Sequence, residues 1–100
     1  MNAGTFEGPT STIKRTVWIG VDVVSEVIEG EAVLLNLSTG RYFSLNVTGT
    51  FIWQQIELHG DVKQINTALL AKYPADPTQA MRDITDLLNE LVSRDLVRRQ

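Results

Sequence analysis

Few side chains in this chain have the partners that chemistry would require. His59 is the single histidine, and it stands beside Gly60 at the end of a helical pattern. A histidine there interacts with the last carbonyls of the helix. A general base would also need a pocket and an orienting group, and a metal would need several ligands. There is no second histidine and no cysteine to supply them. Ser25, Ser38, Ser44 and Ser93 lie outside any nucleophile-elbow context. Asp83 and Asp86 are three apart on a helical pattern, and a solvated helix face accounts for both. Gly40, Gly49 and Gly60 each suit a turn or a helix boundary, and none belongs to a phosphate-cradling loop. No catalytic constellation emerges, so the chain reads as a non-enzyme with no cofactor and no metal.

What remains is recognition by backbone and surface, which depends on the elements. Thr16–Ile19 is rich in strand formers, and Val23–Ile28 reads as a strand broken by Glu29-Gly30. Glu31–Leu37 is a short apolar run of strand length. Ser38-Thr39-Gly40 is a turn signal, with Gly40 suited to positive φ, and Arg41–Leu45 is the returning strand. Three short strands joined by tight turns make an antiparallel meander. The period changes at Asn46: Asn46 or Thr48 caps a helix carrying Phe51, Ile52, Trp53 and Ile56, which Gly60 stops. Asp61 with Gln64 three later opens a second helix, with Val62, Ile65, Leu69 and Tyr73 as its apolar stripe. Asp76-Pro77 opens a third, which runs to about Arg94 with Ala80, Ile84, Leu87, Leu88 and Leu91 on one face. Leu96 and Val97 are expected to pack back on the sheet before a frayed Arg98-Arg99-Gln100 end. The expected fold class is α+β, a winged helix-turn-helix-like arrangement of a three-stranded antiparallel sheet followed by three helices.

Bulk composition sets the limits. One hundred residues, 43% apolar and 21% charged, suit one globular domain. A net charge of −3 gives no global attraction to nucleic acid or anionic lipid. No apolar run approaches the ~20 residues that span a bilayer. Residues 1–15 read as a flexible polar tail without the features of a signal peptide, and residues 16–100 as the folded domain. The absence of cysteine agrees with a reducing, cytoplasmic compartment.

Three binding classes compete. A winged-helix DNA reader would present basic and amide side chains from one helix. Here Arg82 and Arg94 share the third helix and its end with Asp83, Asp86, Glu90 and Asp95, a poor face for phosphate. A dimerising protein would pair edge strands with itself. A peptide-binding module would offer its open sheet edge to a guest strand, backbone pairing giving affinity and side-chain pockets giving selectivity. Arg41–Leu45, the last strand, reads as that edge. Leu45 is assigned to the core, and Tyr42 or Phe43 is a second candidate for it.

The run from Glu31 to Trp53 resembles the PqqD-like family, the leader-recognition domains of ribosomally made peptide pathways. The matching elements are Leu34-Leu35, Thr39-Gly40-Arg41-Tyr42, Leu45-Asn46-Val47-Thr48-Gly49 and Ile52-Trp53. The likeness continues through Ile65, Leu69, Tyr73, Asp83-Ile84 and Leu88 to Leu96-Val97, so it covers about Val23 to Val97. It implies that a precursor's leader segment binds as an added antiparallel strand on the third strand, beside the third helix. The residues implied to bind peptide are Arg41, Tyr42, Phe43, Ser44 and Leu45 on the strand, with Ala80, Asp83 and Leu87 on one flank of the helix's apolar stripe and Ile84 and Leu88 at its centre. Asp83 matches the family's acidic position and is expected to meet a polar or basic leader group. Met81 and Thr85 mark the other flank of the helix, and the sequence leaves open which flank faces the groove. Within the family, the wording most resembles the standalone recognition proteins of lasso-peptide pathways, where a separate leader peptidase cuts the precursor. The rival is the PQQ-pathway member that delivers its peptide to a radical SAM enzyme. The implied partners are a precursor leader and a maturation enzyme, with no nucleic acid or membrane, for a monomer or weak dimer.

Overall fold

The computed structural model describes residues 15–100. The first fourteen residues of the expected tail lie outside them. Eight elements follow in order: β1 (Val17–Ile19), β2 (Val23–Ile28), β3 (Glu31–Asn36), β4 (Tyr42–Ser44), α1 (Val47–Leu58), α2 (Val62–Lys72), α3 (Pro77–Ser93) and β5 (Val97–Arg99). β2, β3 and β4 form a three-stranded antiparallel sheet with β3 at its centre. With the three helices that follow, this is the expected winged-helix-like α+β arrangement.

The turns have the chemistry their dihedrals demand. Glu29 and Gly30 connect β2 to β3 with φ of 52° and 84°, a two-residue hairpin whose handedness matches the strand twist. Gly40 at φ 76° closes the β3–β4 turn. Asn36 organises that turn. It is buried, its carboxamide oxygen accepts from Ser38 N–H at 2.9 Å and Thr39 N–H at 3.2 Å, and its Nδ2 donates to Asp95 C=O at 3.0 Å. The caps fall at Asn46, Asp61 and Asp76, whose side chains accept from the N–H groups of Gly49, Gln64 and Gln79.

The core lies between the inner face of the sheet and the helices. Leu34 and Ala32 from β3 meet Ile52, Trp53 and Ile56 of α1, Ile65 and Leu69 of α2, and Ile84, Leu88 and Leu91 of α3. Trp53 is 1% exposed, and its Nε1 donates to Ser25 Oγ at 3.2 Å, so its one polar atom is satisfied. Thr50 ties α1 to the sheet. Its Oγ1 accepts from Ala32 N–H at 2.7 Å and donates to Leu45 C=O at 3.4 Å, filling the ladder position where β4 gives way to helix.

The structure adds a second, two-stranded sheet. β1 pairs with β5 from Val17↔Arg99 to Ile19↔Val97. Arg98 and Arg99 therefore lie in a paired strand instead of a frayed end, and Gln100 N–H donates to Thr16 C=O at 2.9 Å. Val17, Leu96 and Val97 are buried, which explains why the chain closes here. Arg15 fastens the ribbon to α1, its Nη1 donating to Ile56 C=O at 2.9 Å and Val17 C=O at 3.1 Å. Thr16 and Val17 N–H both donate to Gly60 C=O, at 2.7 and 2.9 Å.

Candidate functional site

Backbone pairing fixes what β4 offers at its free edge. Leu45 N–H donates to Ala32 C=O at 2.8 Å, and Asn36 N–H donates to Arg41 C=O at 2.9 Å. In an antiparallel ladder the residues facing a given neighbour alternate. With the register Val33↔Ser44, Leu34↔Phe43 and Leu35↔Tyr42, Arg41, Phe43 and Leu45 turn their backbone groups towards β3. Tyr42 and Ser44 therefore direct N–H and C=O away from the sheet. Among the described residues nothing pairs with these two donors and two acceptors, which line one edge with the spacing of a guest strand.

Side chains follow the opposite rule, alternating between the faces. Phe43 and Leu45 point to the helix side with Leu34, and Tyr42 and Ser44 to the outer face. Tyr42 is 72% exposed. This corrects its candidacy for the core, and the parity of Leu45 already implied as much: if position 45 points inward, so does 43, and 42 points out.

Beside the open edge lies a groove of about 440 Å³ between β4 and α3. Phe43, Ser44 and Leu45 line it on the strand side, Asp83 and Leu87 on the helix side, and Asn46, Thr48, Gly49 and Ile52 at the end where β4 runs into α1. Gly49 is buried there, and a Cβ on it would lie 3.3 Å from the Asn46 carboxamide oxygen and 3.4 Å from the Leu45 side chain. The wall is mixed: apolar from Phe43, Ile52 and Leu87, and anionic from Asp83. Gln79 Nε2 donates to the Asp83 carboxylate at 2.8 Å. At the opposite end of β4, the Arg94 guanidinium lies 4.4 Å from the Phe43 ring centroid and its Nε pairs with Glu90 at 2.6 Å. Arg94 thus holds Phe43 against the end of α3.

Of the residues implied to bind peptide, the structure brings Phe43, Ser44, Leu45, Asp83 and Leu87 together in the groove. Arg41 and Tyr42 lie past its end, lining a small recess with Phe43, Arg94 and Leu96. Ala80, Ile84 and Leu88 are buried at 4%, 0% and 0% exposure and do not line the groove. They are the stripe that holds α3 on the core. The flank is resolved too: Met81 faces Asn66 of α2, away from the groove. Sequence reasoning did not assign Asn46, Thr48, Gly49 and Ile52 to the site, although all four sit in the segment that carries the family likeness. Among the described residues no cluster of metal-ligating side chains occurs.

Residues 31–97 match the family described as Coenzyme PQQ synthesis protein D (PqqD). Among solved structures, the chain resembles TbiB1 in complex with the TbiA(beta) leader peptide. The identity is 37%, the match covers 81% of this chain and 94% of that one, and the TM-score is 0.78. It also shares the fold of lasso peptide synthetase B1 complexed with the leader peptide, at 23% identity, 83% and 98% coverage and a TM-score of 0.76. No curated protein sequence matches it. The family match begins at the first residue of β3 and ends at the first residue of β5, so it takes in the open edge, the groove and all three helices: the chain belongs to the PqqD family.

Proposed function

We propose that this protein is a non-catalytic adaptor that binds the leader segment of a ribosomally synthesised precursor peptide and presents it to a maturation enzyme. The observation that carries this reading is the pair of outward-facing residues, Tyr42 and Ser44, bordering a groove walled by Asp83 and Leu87. A leader running antiparallel to β4 meets their N–H and C=O groups. Its alternate side chains enter the groove, apolar ones against Phe43 and Leu87 and a basic or polar one beside Asp83. Full burial of one or two apolar leader side chains contributes about 1.5–3 kcal/mol each. After ordering costs, affinity in the micromolar to nanomolar range is reachable.

The relative at 37% identity is a leader-peptide complex, which favours a lasso-type pathway and its leader peptidase as the receiving enzyme. The family description favours a second reading, delivery of a PQQ precursor to a radical SAM enzyme. Calorimetric titration of the full chain with the TbiA(beta) leader, and with the leader of a candidate precursor, tests the binding. Saturable one-to-one binding that changes little with salt is expected. Absence of peptide binding together with steeply salt-dependent association with duplex DNA would replace this reading with nucleic-acid recognition.

A further inference from the structure

The same sheet has a second open edge. Leu37 N–H donates to Asp22 C=O at 2.8 Å, which fixes the parity of β2: Asp22, Val24, Glu26 and Ile28 turn their backbone groups towards β3. Ser25 and Val27 therefore direct N–H and C=O outward, two residues apart, as Tyr42 and Ser44 do on the other side. Among the described residues nothing covers this edge, and both Ser25 and Val27 are exposed. Edge strands are ordinarily blunted by charged side chains, lysine above all, by proline or by a bulge. Val23–Ile28 has no lysine and no proline, its one charge is Glu26, and its register with β3 is continuous.

The surroundings specify a partner. Of the nine exposed large apolar side chains among the described residues, five fall between 21 and 37: Val21, Val24, Val27, Ile28 and Leu37. The same stretch is one-signed: from Thr16 to Gly40 there are four carboxylates, Asp22, Glu26, Glu29 and Glu31, and no lysine, arginine or histidine. A second copy of this chain would bring the same four carboxylates against them, which like-charge repulsion disfavours. An apolar strand flanked by lysine or arginine matches both features.

We infer that the β2 edge docks the maturation enzyme through an extended apolar segment flanked by basic residues. This deepens the adaptor reading and rests on it. Leader, β4, β3, β2 and enzyme strand then form one continuous sheet. The leader and the enzyme strand lie four interstrand spacings apart, roughly 19 Å. The two ligands occupy opposite edges and do not compete.

The test uses the full chain, amide-resolved NMR and two blocked peptides, acetyl-Lys-Val-Thr-Val-Thr-Val-Lys-amide and its counterpart with glutamate at both ends. The lysine peptide is expected to shift the Ser25 and Val27 amides and to bind about tenfold more tightly than the glutamate peptide. The double variant Glu26→Lys, Glu29→Lys should erase that preference, and saturation with the TbiA(beta) leader should leave it intact. Equal binding of the two peptides, unmoved Ser25 and Val27 amides, or displacement by the leader would overturn the inference. So would slow exchange of those two amides in the free chain, which would mean that a second copy or residues 1–14 already pair there. If the leader fails to shift Tyr42 and Ser44 while the lysine peptide still occupies β2, the adaptor reading falls and the docking edge stands.

Discussion

Proline at Ser44 should separate leader binding from folding, because the Ser44 N–H has no partner within the sheet. The ladder is held on either side by Phe43 and Leu45, whose backbone groups face β3. Proline tolerates an edge strand whose N–H faces outward, and it favours an extended residue before it, which Phe43 in β4 already is. The substitution removes one donor from the docking edge and leaves the leader carbonyl opposite it unpaired. An unsatisfied group of that kind costs about 1–3 kcal/mol, which is roughly a five- to 150-fold rise in Kd. Proline at Phe43 would instead remove an N–H directed at Leu34 and the side chain that Arg94 covers, so it should destabilise the domain. The assay is calorimetric titration with the leader beside thermal unfolding of each variant. Ser44→Pro should lose affinity with Tm nearly unchanged, and Phe43→Pro should lose Tm first. If Ser44→Pro binds the leader as well as the parent does, strand addition at this edge is refuted.

Three further outcomes follow from the same geometry. Leu87 lines the groove and Leu88 is fully buried. Leu87→Ala should therefore weaken the leader several-fold with little change in Tm, whereas Leu88→Ala should cost about 2–5 kcal/mol of stability, read by urea unfolding. Asp83→Lys reverses the only carboxylate of the groove wall among the described residues and should weaken a leader whose groove-facing polar residue is basic, with the loss shrinking as salt rises. Gly60 has φ +63°, and an added Cβ would meet the Arg15 guanidinium and lie 2.6 Å from Val17 C=O. Gly60→Ala should cost at least about 1–2 kcal/mol and lower Tm by about 4–8 °C per kcal/mol, with leader affinity retained in the folded fraction.

The sequence made local features legible and long-range ones obscure. Asp76-Pro77, Asp61 and Gly40 announce their caps and turn because each satisfies a neighbouring backbone group or a local φ requirement. Asn46 or Thr48 suits the cap by residue type, and the structure selects Asn46, whose carboxamide oxygen accepts from Gly49 N–H at 2.8 Å. The β1–β5 ribbon was not legible, because Val17 and Arg99 pair across most of the chain and three-residue strands have almost no periodicity. In the candidate site, the strand edge that carries Phe43 is legible from the hairpin pattern, Asp83 and Leu87 come from the likeness, and so do Ala80, Ile84 and Leu88, which are buried and do not line the groove. A helical stripe separates its centre, Ile84 and Leu88, from its flanks, but it does not show which flank borders a groove or that Ala80 on that flank is buried. The open donors of Tyr42 and Ser44 are backbone groups with no signature in side-chain pattern, and only the ladder parity exposes them.

Amide hydrogen exchange along β4 tests strand addition most directly. With saturating leader peptide, the Tyr42 and Ser44 amides should become protected, while those of Phe43 and Leu45, already directed to β3, should change little. That alternation is specific to a guest strand on this edge. Protection that spreads evenly through β4, or that appears on α2 while Tyr42 and Ser44 continue to exchange freely, would contradict it.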